Sequence, residues 1–196
     1  MRKAIIKRET RETAINITLN IDGTGKSKIN TGIGLLDHML ELFAFWGYFD
    51  LNVTAKGDLK VDIHHTNEDI GIVLGQAFKK ALADKKGIRR IGFSAVPMEE
   101  VVGSVALDIN GRGYYFGKFS GPADRESGYS FTDMEHFLDS FAKQLGMNLN
   151  VRIDNLCSDF HANVEPVFKA LGIALDQATQ IDPRRKGIPS TKGVID

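Results

Sequence analysis

The pattern of apolar and polar positions predicts alternating strands and helices along the chain. Residues 12–23 alternate apolar and polar side chains before a glycine turn, which is typical of a strand. Residues 32–47 carry apolar side chains at helical spacing and end on glycine, so they predict a helix. The strand pattern returns over 49–61, and a long helix is predicted over 65–87.

The same order of elements follows in the second part of the chain. Strands around turns are predicted over 89–119, and a helix over 131–146. A strand over 147–155 and a final helix over 167–180 complete the pattern, and the tail beyond them is irregular and basic. A strand–helix–strand–helix order that occurs twice indicates an internal duplication.

Identical residues at constant offsets support this duplication. The pairs recur 97 or 98 residues apart: His38 and His136, Leu51 and Leu149, Glu68 and Glu165, Gly75 and Gly172. We therefore predict two α+β halves, residues 1–88 and 89–196, joined in one compact domain. Each half would place a helix pair on one face of its sheet, and the two helix pairs would pack against each other.

Composition and charge exclude several classes of protein. The chain has 196 residues, with 25 Lys and Arg against 25 Asp and Glu, so its formal net charge is zero. This balance argues against a general binder of nucleic acid or of membrane surfaces. The single cysteine, Cys157, cannot form an internal disulfide, and there is no signal-peptide pattern and no long apolar run. These features predict a cytoplasmic protein without a membrane span.

The five histidines carry the strongest chemical signal. They all lie at positions related to the repeat: His38, His64, His65, His136 and His161. On a helix, His64 and Glu68 share a face, as do His161 and Glu165. Imidazole nitrogen with carboxylate oxygen suits Mn, Fe, Co, Ni or Zn, whereas structural zinc sites are usually rich in cysteine. His38 by itself would be a core histidine, but because every histidine follows the repeat, we predict a metal site.

Together these motifs resemble the imidazoleglycerol-phosphate dehydratase family of histidine biosynthesis. The matching stretches run in the family's order over essentially the full chain: RETRETAI, INTGIGLLDHML, GYFDL, GDLKVDIHHTNEDIGI, KKGIRR, VPMEE, LDINGRGY, EHF, FHANVEPVFKA and IPSTKG. The resemblance implies an α+β fold in which a four-helix layer is sandwiched between two four-stranded sheets. It also implies a homo-oligomer, a 24-subunit shell of trimers, with active sites at subunit contacts.

The resemblance also implies roles for individual residues. The metal ligands would be His38, His64, His65, Glu68, His136, His161 and Glu165. They would hold two Mn²⁺ ions per active site, with Glu165 and the acid/base residue Glu12 as the catalytic carboxylates. The residues that grip the phosphate of the substrate would be Arg90, Arg112, Ser190 and Lys192. The family removes water from imidazole glycerol phosphate to give imidazole acetol phosphate, by Lewis-acid catalysis with a carboxylate that moves protons.

The chain departs from the family pattern in its second metal motif. The family has a His-His doublet where this chain has His161 and Ala162. One expected ligand is therefore missing, and we expect the second metal site to be weaker than the first. Pro166 follows Glu165 and disfavours helical geometry at that carboxylate. Trp46 stands where the family has a histidine that lines the substrate pocket.

Three functions therefore stay open from the sequence. The first is the dehydratase itself, with the missing ligand replaced by water or by a carboxylate such as Asp159. The second is a related metal-dependent lyase or isomerase for another phosphorylated substrate, with Trp46 reshaping the pocket. The third is a catalytically silent homologue that keeps the metal-stapled shell as a binding or structural particle.

Overall fold

A computed structural model describes residues 2–195, which form helices and strands in the repeated order. The helices are α1 (Gly34–Trp46), α2 (His64–Leu82), α3 (Phe131–Leu145) and α4 (Phe160–Thr179). The strands are β1 (Lys3–Glu9), β2 (Thr13–Asn20), β3 (Ser27–Asn30), β4 (Asp50–Gly57), β5 (Ile91–Met98), β6 (Val101–Asp108), β7 (Tyr114–Phe116), β8 (Arg125–Glu126), β9 (Tyr129–Ser130) and β10 (Asn148–Asp154).

Two four-stranded sheets have the same topology. The first has the strand order β1-β2-β4-β3, and its only parallel pair is β3 with β4. The second has the order β5-β6-β10-β7, and its only parallel pair is β7 with β10. Strands β8 and β9 form a small separate hairpin before α3. The duplicated α+β fold is therefore confirmed, whereas a boundary at residue 88 stays a prediction.

The four helices lie between the sheets. Helices α1 and α2 pack on the first sheet, α3 and α4 pack on the second, and the two pairs meet as α2 with α3 and α1 with α4. The inward-facing side chains of β2 and β10, such as Ile17 and Leu149, are fully buried under these helices. At the centre of the layer, Phe43 of α1 meets Phe141 of α3 edge to face. No helix within residues 2–195 combines the length and apolar character needed to cross a membrane.

Glycines let the helices from different halves approach closely. A Cβ on Gly75 in α2 would lie 2.8 Å from the carbonyl oxygen of Phe141 in α3. A Cβ on Gly172 in α4 would lie 2.5 Å from the carbonyl oxygen of Phe43 in α1. These two glycines occupy related positions of the repeat. The close crossings bring side chains of α1 within reach of α4, and those of α3 within reach of α2.

The last helix begins earlier than predicted. α4 starts at Phe160 rather than at residue 167, because the side chain of Asp159 accepts a hydrogen bond from the backbone N–H of Ala162 and caps the helix. Pro166 lies inside α4 instead of interrupting it. The expectation that Pro166 disturbs helical geometry at Glu165 was therefore wrong. Proline at this position removes one backbone hydrogen bond, but the helix continues because its apolar face is buried.

Other boundaries differ where local signals are weak. α2 ends at Leu82, before the predicted limit at residue 87, because Ala83 takes a positive φ of 48°. β1 was not predicted, since it is an edge strand whose side chains are mostly exposed and so lack an apolar alternation. The short strand β3 and the β8–β9 hairpin were also missed.

Candidate active site

One cluster of potential metal ligands combines α1 with α4. Its members are His38, His161 and Glu165, whose ligand atoms all lie within 4.8 Å of one another. Glu165 Oε2 lies 2.8 Å from His161 Nε2 and 3.4 Å from His38 Nε2. His161 and Glu165 are one turn apart on α4, and the close α1–α4 crossing supplies His38.

The negative charge of Glu165 is stabilised by an ion pair with a lysine one turn further along α4. Lys169 Nζ lies 2.5 Å from Glu165 Oε1. Burial opposes ionisation of Glu165, but hydrogen bonds from Lys169 and His161 outweigh it, so the pKa of this carboxyl lies below its ordinary value. The cluster therefore presents an ionised carboxylate oxygen to two imidazoles, which is a donor set suited to a divalent transition metal.

A second cluster combines α2 with α3. His136 Nδ1 lies 3.1 Å from His64 Nδ1, and His64 Nε2 lies 3.6 Å from Glu68 Oε2. These histidines line a cavity of about 730 Å³, which is also lined by the start of α3 and by residues 119–121, 124 and 125. The second cluster is thus next to space that a small molecule can enter.

The two clusters are related by the repeat. Each takes one histidine from the first helix of one half and a His-x-x-x-Glu pair from the second helix of the other half. His38 with the α4 pair corresponds in this way to His136 with the α2 pair. The duplication therefore builds two similar sites from crossed contributions.

The side chain of His65 points away from the cluster that contains its neighbour His64. Its Nδ1 lies 3.0 Å from Asp58 Oδ2 and 3.8 Å from Glu12 Oε2. The hydrogen bond to Asp58 is the main reason that the pKa of His65 is raised above its ordinary value. The related position in the second half is Ala162, which is buried and offers no ligand atom.

The turn that carries Glu12 is tied to α2. The backbone N–H of Glu12 donates to Thr10 Oγ1 at 3.1 Å. Thr13 Oγ1 donates to Asp69 Oδ2 at 2.5 Å, and Arg8 Nε donates to Asp69 Oδ1 at 2.9 Å. Since Asp69 directly follows Glu68, these bonds fix the Glu12 turn relative to the second cluster.

The four predicted phosphate-binding residues line one cavity of about 390 Å³. Its polar lining consists of Arg90, Asn110, Arg112, Ser190, Thr191 and Lys192. Arg112 and Lys192 are exposed. The guanidinium of Arg90 instead forms a bidentate pair with Asp108 and donates to the carbonyl oxygen of Pro189. Arg90 thus holds the C-terminal tail against the cavity.

Trp46 lies apart from both of these cavities. It ends α1, is 42% exposed and packs edge to face on Phe45. Asp159, considered as a substitute ligand, uses its carboxylate to cap α4. Two other residues were missed at the sequence level: Lys169, which the spacing of four from Glu165 could have revealed, and Asp58, for which no local spacing rule applies.

The fold and the paired clusters define an internally duplicated α+β protein with two crossed histidine–carboxylate sites and a cationic cavity. The profile of the family "Imidazoleglycerol-phosphate dehydratase" matches residues 31–175, which include both clusters. The chain therefore belongs to the imidazoleglycerol-phosphate dehydratase family.

Individual relatives agree with this assignment. The chain is 52% identical to the imidazoleglycerol-phosphate dehydratase of Thermoanaerobacter pseudethanolicus and 51% identical to that of Methanocella arvoryzae, each over 100% of both chains. It is also similar to a crystal structure of IGPD from Pyrococcus furiosus, with a TM-score of 0.82 and 33% identity over 96% of this chain and 99% of that one.

Proposed function

We propose that this chain removes water from imidazole glycerol phosphate to give imidazole acetol phosphate, a step of histidine biosynthesis. The observation that carries the proposal is that residues 31–175, which match the dehydratase family, contain both crossed histidine–carboxylate clusters. A cationic cavity suited to a phosphate group lies in the same chain. Neither of the other two functions is favoured by a specific observation.

The donor sets fit divalent metal ions, and we propose Mn²⁺. His38, His161 and Glu165 would hold one ion, and His64, Glu68 and His136 would hold the other. His65 would supply one further ligand, which has no counterpart at Ala162. The ligand atoms of the first set lie within 4.8 Å of one another. In the second set, His64 turns Nδ1 toward His136 and Nε2 toward Glu68. Both sets consist of imidazole nitrogens and carboxylate oxygens without thiolate, which Mn²⁺ accepts as ligands. When bound, such ions supply Lewis-acid activation and a template for the imidazole ring of the substrate. Ala162 leaves one of these sites with a ligand fewer.

The protein's own groups bind the substrate and move its protons. Arg112, Ser190 and Lys192 would bind the phosphate, since lysine offers a point charge and arginine a planar fork of donors. Glu12 lies 3.8 Å from His65 and is exposed, so its carboxylate is free to accept a proton and return it. Glu165 has partners on both oxygens, which suits a ligand better than a proton carrier.

We further propose that the protein is a homo-oligomer, built from trimers into a 24-subunit shell. The support is the number of large apolar side chains that one subunit exposes: Phe45, Trp46, Tyr48, Ile91, Phe93, Tyr114 and Phe116. Exposed apolar side chains that lie close together, as Phe45, Trp46 and Tyr48 do in the sequence, mark contacts with other molecules. The trimer and the number of subunits follow the resemblance to the family. The free cysteine, Cys157, fits the reducing cytoplasm that we propose as its location.

A turnover assay with imidazole glycerol phosphate as the substrate tests the proposal. The purified protein is incubated with imidazole glycerol phosphate with and without added Mn²⁺, and its metal content and particle size are measured on the same sample. We expect Mn²⁺-dependent formation of the ketone product and about two metal ions per chain. An assembled, metal-loaded protein that gives no product would overturn the proposed reaction and favour a silent homologue.

A further inference from the structure

The side chain of Asp58 forms a hydrogen bond with His65, one of the predicted metal ligands. Asp58 lies just after β4, in the loop that leads to α2, and its Oδ2 lies 3.0 Å from Nδ1 of His65. Glu12 Oε2 is 3.8 Å from the same nitrogen, which is beyond hydrogen-bond distance. Asp58 therefore holds the ring, and Glu12 is left free.

The surroundings of the second carboxylate oxygen of Asp58 indicate that this residue does not serve to stabilise its loop. Within residues 2–195, Asp58 Oδ1 is buried and has no hydrogen-bond partner. A buried acceptor without a partner costs free energy, so a carboxylate placed only to stabilise the loop would be a poor choice. Among the described residues, the one polar contact of the Asp58 side chain is with the imidazole of His65.

The second half of the chain lacks both members of this pair. The positions 97 residues after Asp58 and His65 are Asn155 and Ala162, while Leu59 and Asp62 keep their residue types at the same offset, as Leu156 and Asp159. The side chain of Asn155 has a different partner, because its Nδ2 donates to the carbonyl oxygen of Glu100. The acid is thus present where the histidine is present and absent where the histidine is absent.

We propose that Asp58 is a positioning residue that fixes the tautomer and ring orientation of His65, so that Nε2 is the atom presented to a metal ion. This rests on the proposed metal-dependent function. In the neutral imidazole, a carboxylate that accepts the Nδ1 proton selects the tautomer whose Nε2 carries the free lone pair, and it raises the donor strength of that nitrogen. His65 is thereby a better ligand than an unsupported histidine would be.

The test is a cycle of Mn²⁺ titrations on the full chain, with free Mn²⁺ followed by its electron paramagnetic resonance signal. The variants are Asp58→Ala, His65→Ala, the double variant and Asp58→Asn. We expect Asp58→Ala to weaken the binding of one ion roughly 10- to 100-fold, the usual effect of losing a partner of a metal-bound histidine. Asp58→Asn keeps an acceptor for the Nδ1 proton and should lose less affinity. Asn155→Ala is the matched control and should bind as the unaltered chain does.

The double variant separates positioning from a general structural role. If Asp58 acts through His65, removing it from the His65→Ala protein changes Mn²⁺ affinity no further. An equal loss in both backgrounds, or no loss in Asp58→Ala, would overturn the inference while leaving the proposed function intact. Should Asp58→Ala fail to fold, an Asp58→Asn change that costs the same affinity in the unaltered and in the His65→Ala backgrounds would overturn it too. An unaltered chain that binds no Mn²⁺ would instead refute the proposed function, and the inference with it.

Discussion

Glu165 has a separate partner for each oxygen of its carboxylate. Lys169 binds Oε1, whereas His38 and His161 approach Oε2. A cation that enters the cluster can therefore use Oε2 without displacing the lysine. The lysine keeps the carboxylate ionised and fixes its rotamer, so the protein alone sets the position of this candidate ligand.

Glu12 is the residue on which the proton transfer is expected to depend. Glu12→Gln keeps the size of the side chain but removes its ability to take up a proton, so turnover should fall at least a hundredfold, within the usual range of roughly 10² to 10⁴ for general acid–base catalysis. Because Glu12 is exposed, particle size and Mn²⁺ content should not change. Steady-state rates and size-exclusion chromatography measure the two effects, and activity that survives would refute the assignment.

Ala162 stands at the position related to His65, and the effect of placing a histidine there is a direct prediction of the proposed metal sites. Ala162→His should tighten binding of the weaker Mn²⁺ ion by roughly tenfold, or about 1.4 kcal/mol, because it adds an imidazole at the position related to His65. Calorimetric titration measures the change. Ala162→Gln has comparable bulk without an imidazole and serves as the control. If glutamine tightened binding equally, the ligand explanation would fail.

Residue spacing predicted the two His-x-x-x-Glu pairs, because a separation of four places side chains on one helical face. It could not predict that His38 joins the pair on α4, since that contact depends on how the two halves cross. Nor could it predict that His65 turns to Asp58, because ring orientation is set by a partner across a loop. The sequence therefore predicted which side chains share one helical face, but it did not predict which side chains meet across separate elements.

Among the secondary-structure elements, α4 was the one most affected by a tertiary contact. Its sequence contains Pro166, which favours a helix that begins later. A Cβ on Gly103 of β6 would lie 2.7 Å from the carbonyl carbon of Pro166, so this strand passes directly against the proline. Packing on the second sheet thereby maintains a helix that local preference would interrupt.

The turn between β1 and β2 depends on Asp69 of α2. Asp69→Ala would leave the hydroxyl of Thr13 and the guanidinium of Arg8 without their partner. We expect the free energy of unfolding to fall by about 1–3 kcal/mol, toward the lower end because the Arg8 side chain is 38% exposed. Turnover should fall as well, since Glu12 loses its fixed position.

Chemical denaturation measures the free energy of unfolding of Asp69→Ala, and steady-state kinetics measures its turnover. Asp84→Ala is the control, because it removes a surface pair with Lys86 that is worth little. An Asp69→Ala protein as stable as this control would show that the turn is held by other contacts.

Across the whole molecule, each of the two candidate metal clusters combines side chains from both halves of the repeat. The strand order of each sheet and the crossing of each helix pair repeat. Neither half contains a complete cluster, because each His-x-x-x-Glu pair needs a histidine from the other half. The residue matches at offsets of 97 and 98 made this architecture predictable, although the distance between the facing helices was not.

That distance is set by small residues, and Gly172 is the most informative of them. Gly172→Ala would put a methyl group 2.5 Å from the carbonyl oxygen of Phe43, so α1 and α4 would have to separate. Overpacking of this kind costs about 1–3 kcal/mol, and the melting temperature should fall accordingly. Separation would also move His38 from Glu165, so binding of the ion at that cluster should weaken while the cluster of His64 and His136 is unaffected.

Gly34→Ala is the matched control, because a Cβ there meets no atom within 4 Å at the start of α1. It should leave the melting temperature unchanged or raise it, since alanine favours a helix more than glycine does. Thermal unfolding and Mn²⁺ titration on the two variants separate a general loss of stability from a local one. If Gly172→Ala weakened both ions equally, or neither, the helix crossing would not determine the geometry of the His38 cluster. A selective loss of one ion would instead establish that the close approach of α1 and α4 determines the ligand geometry of that cluster.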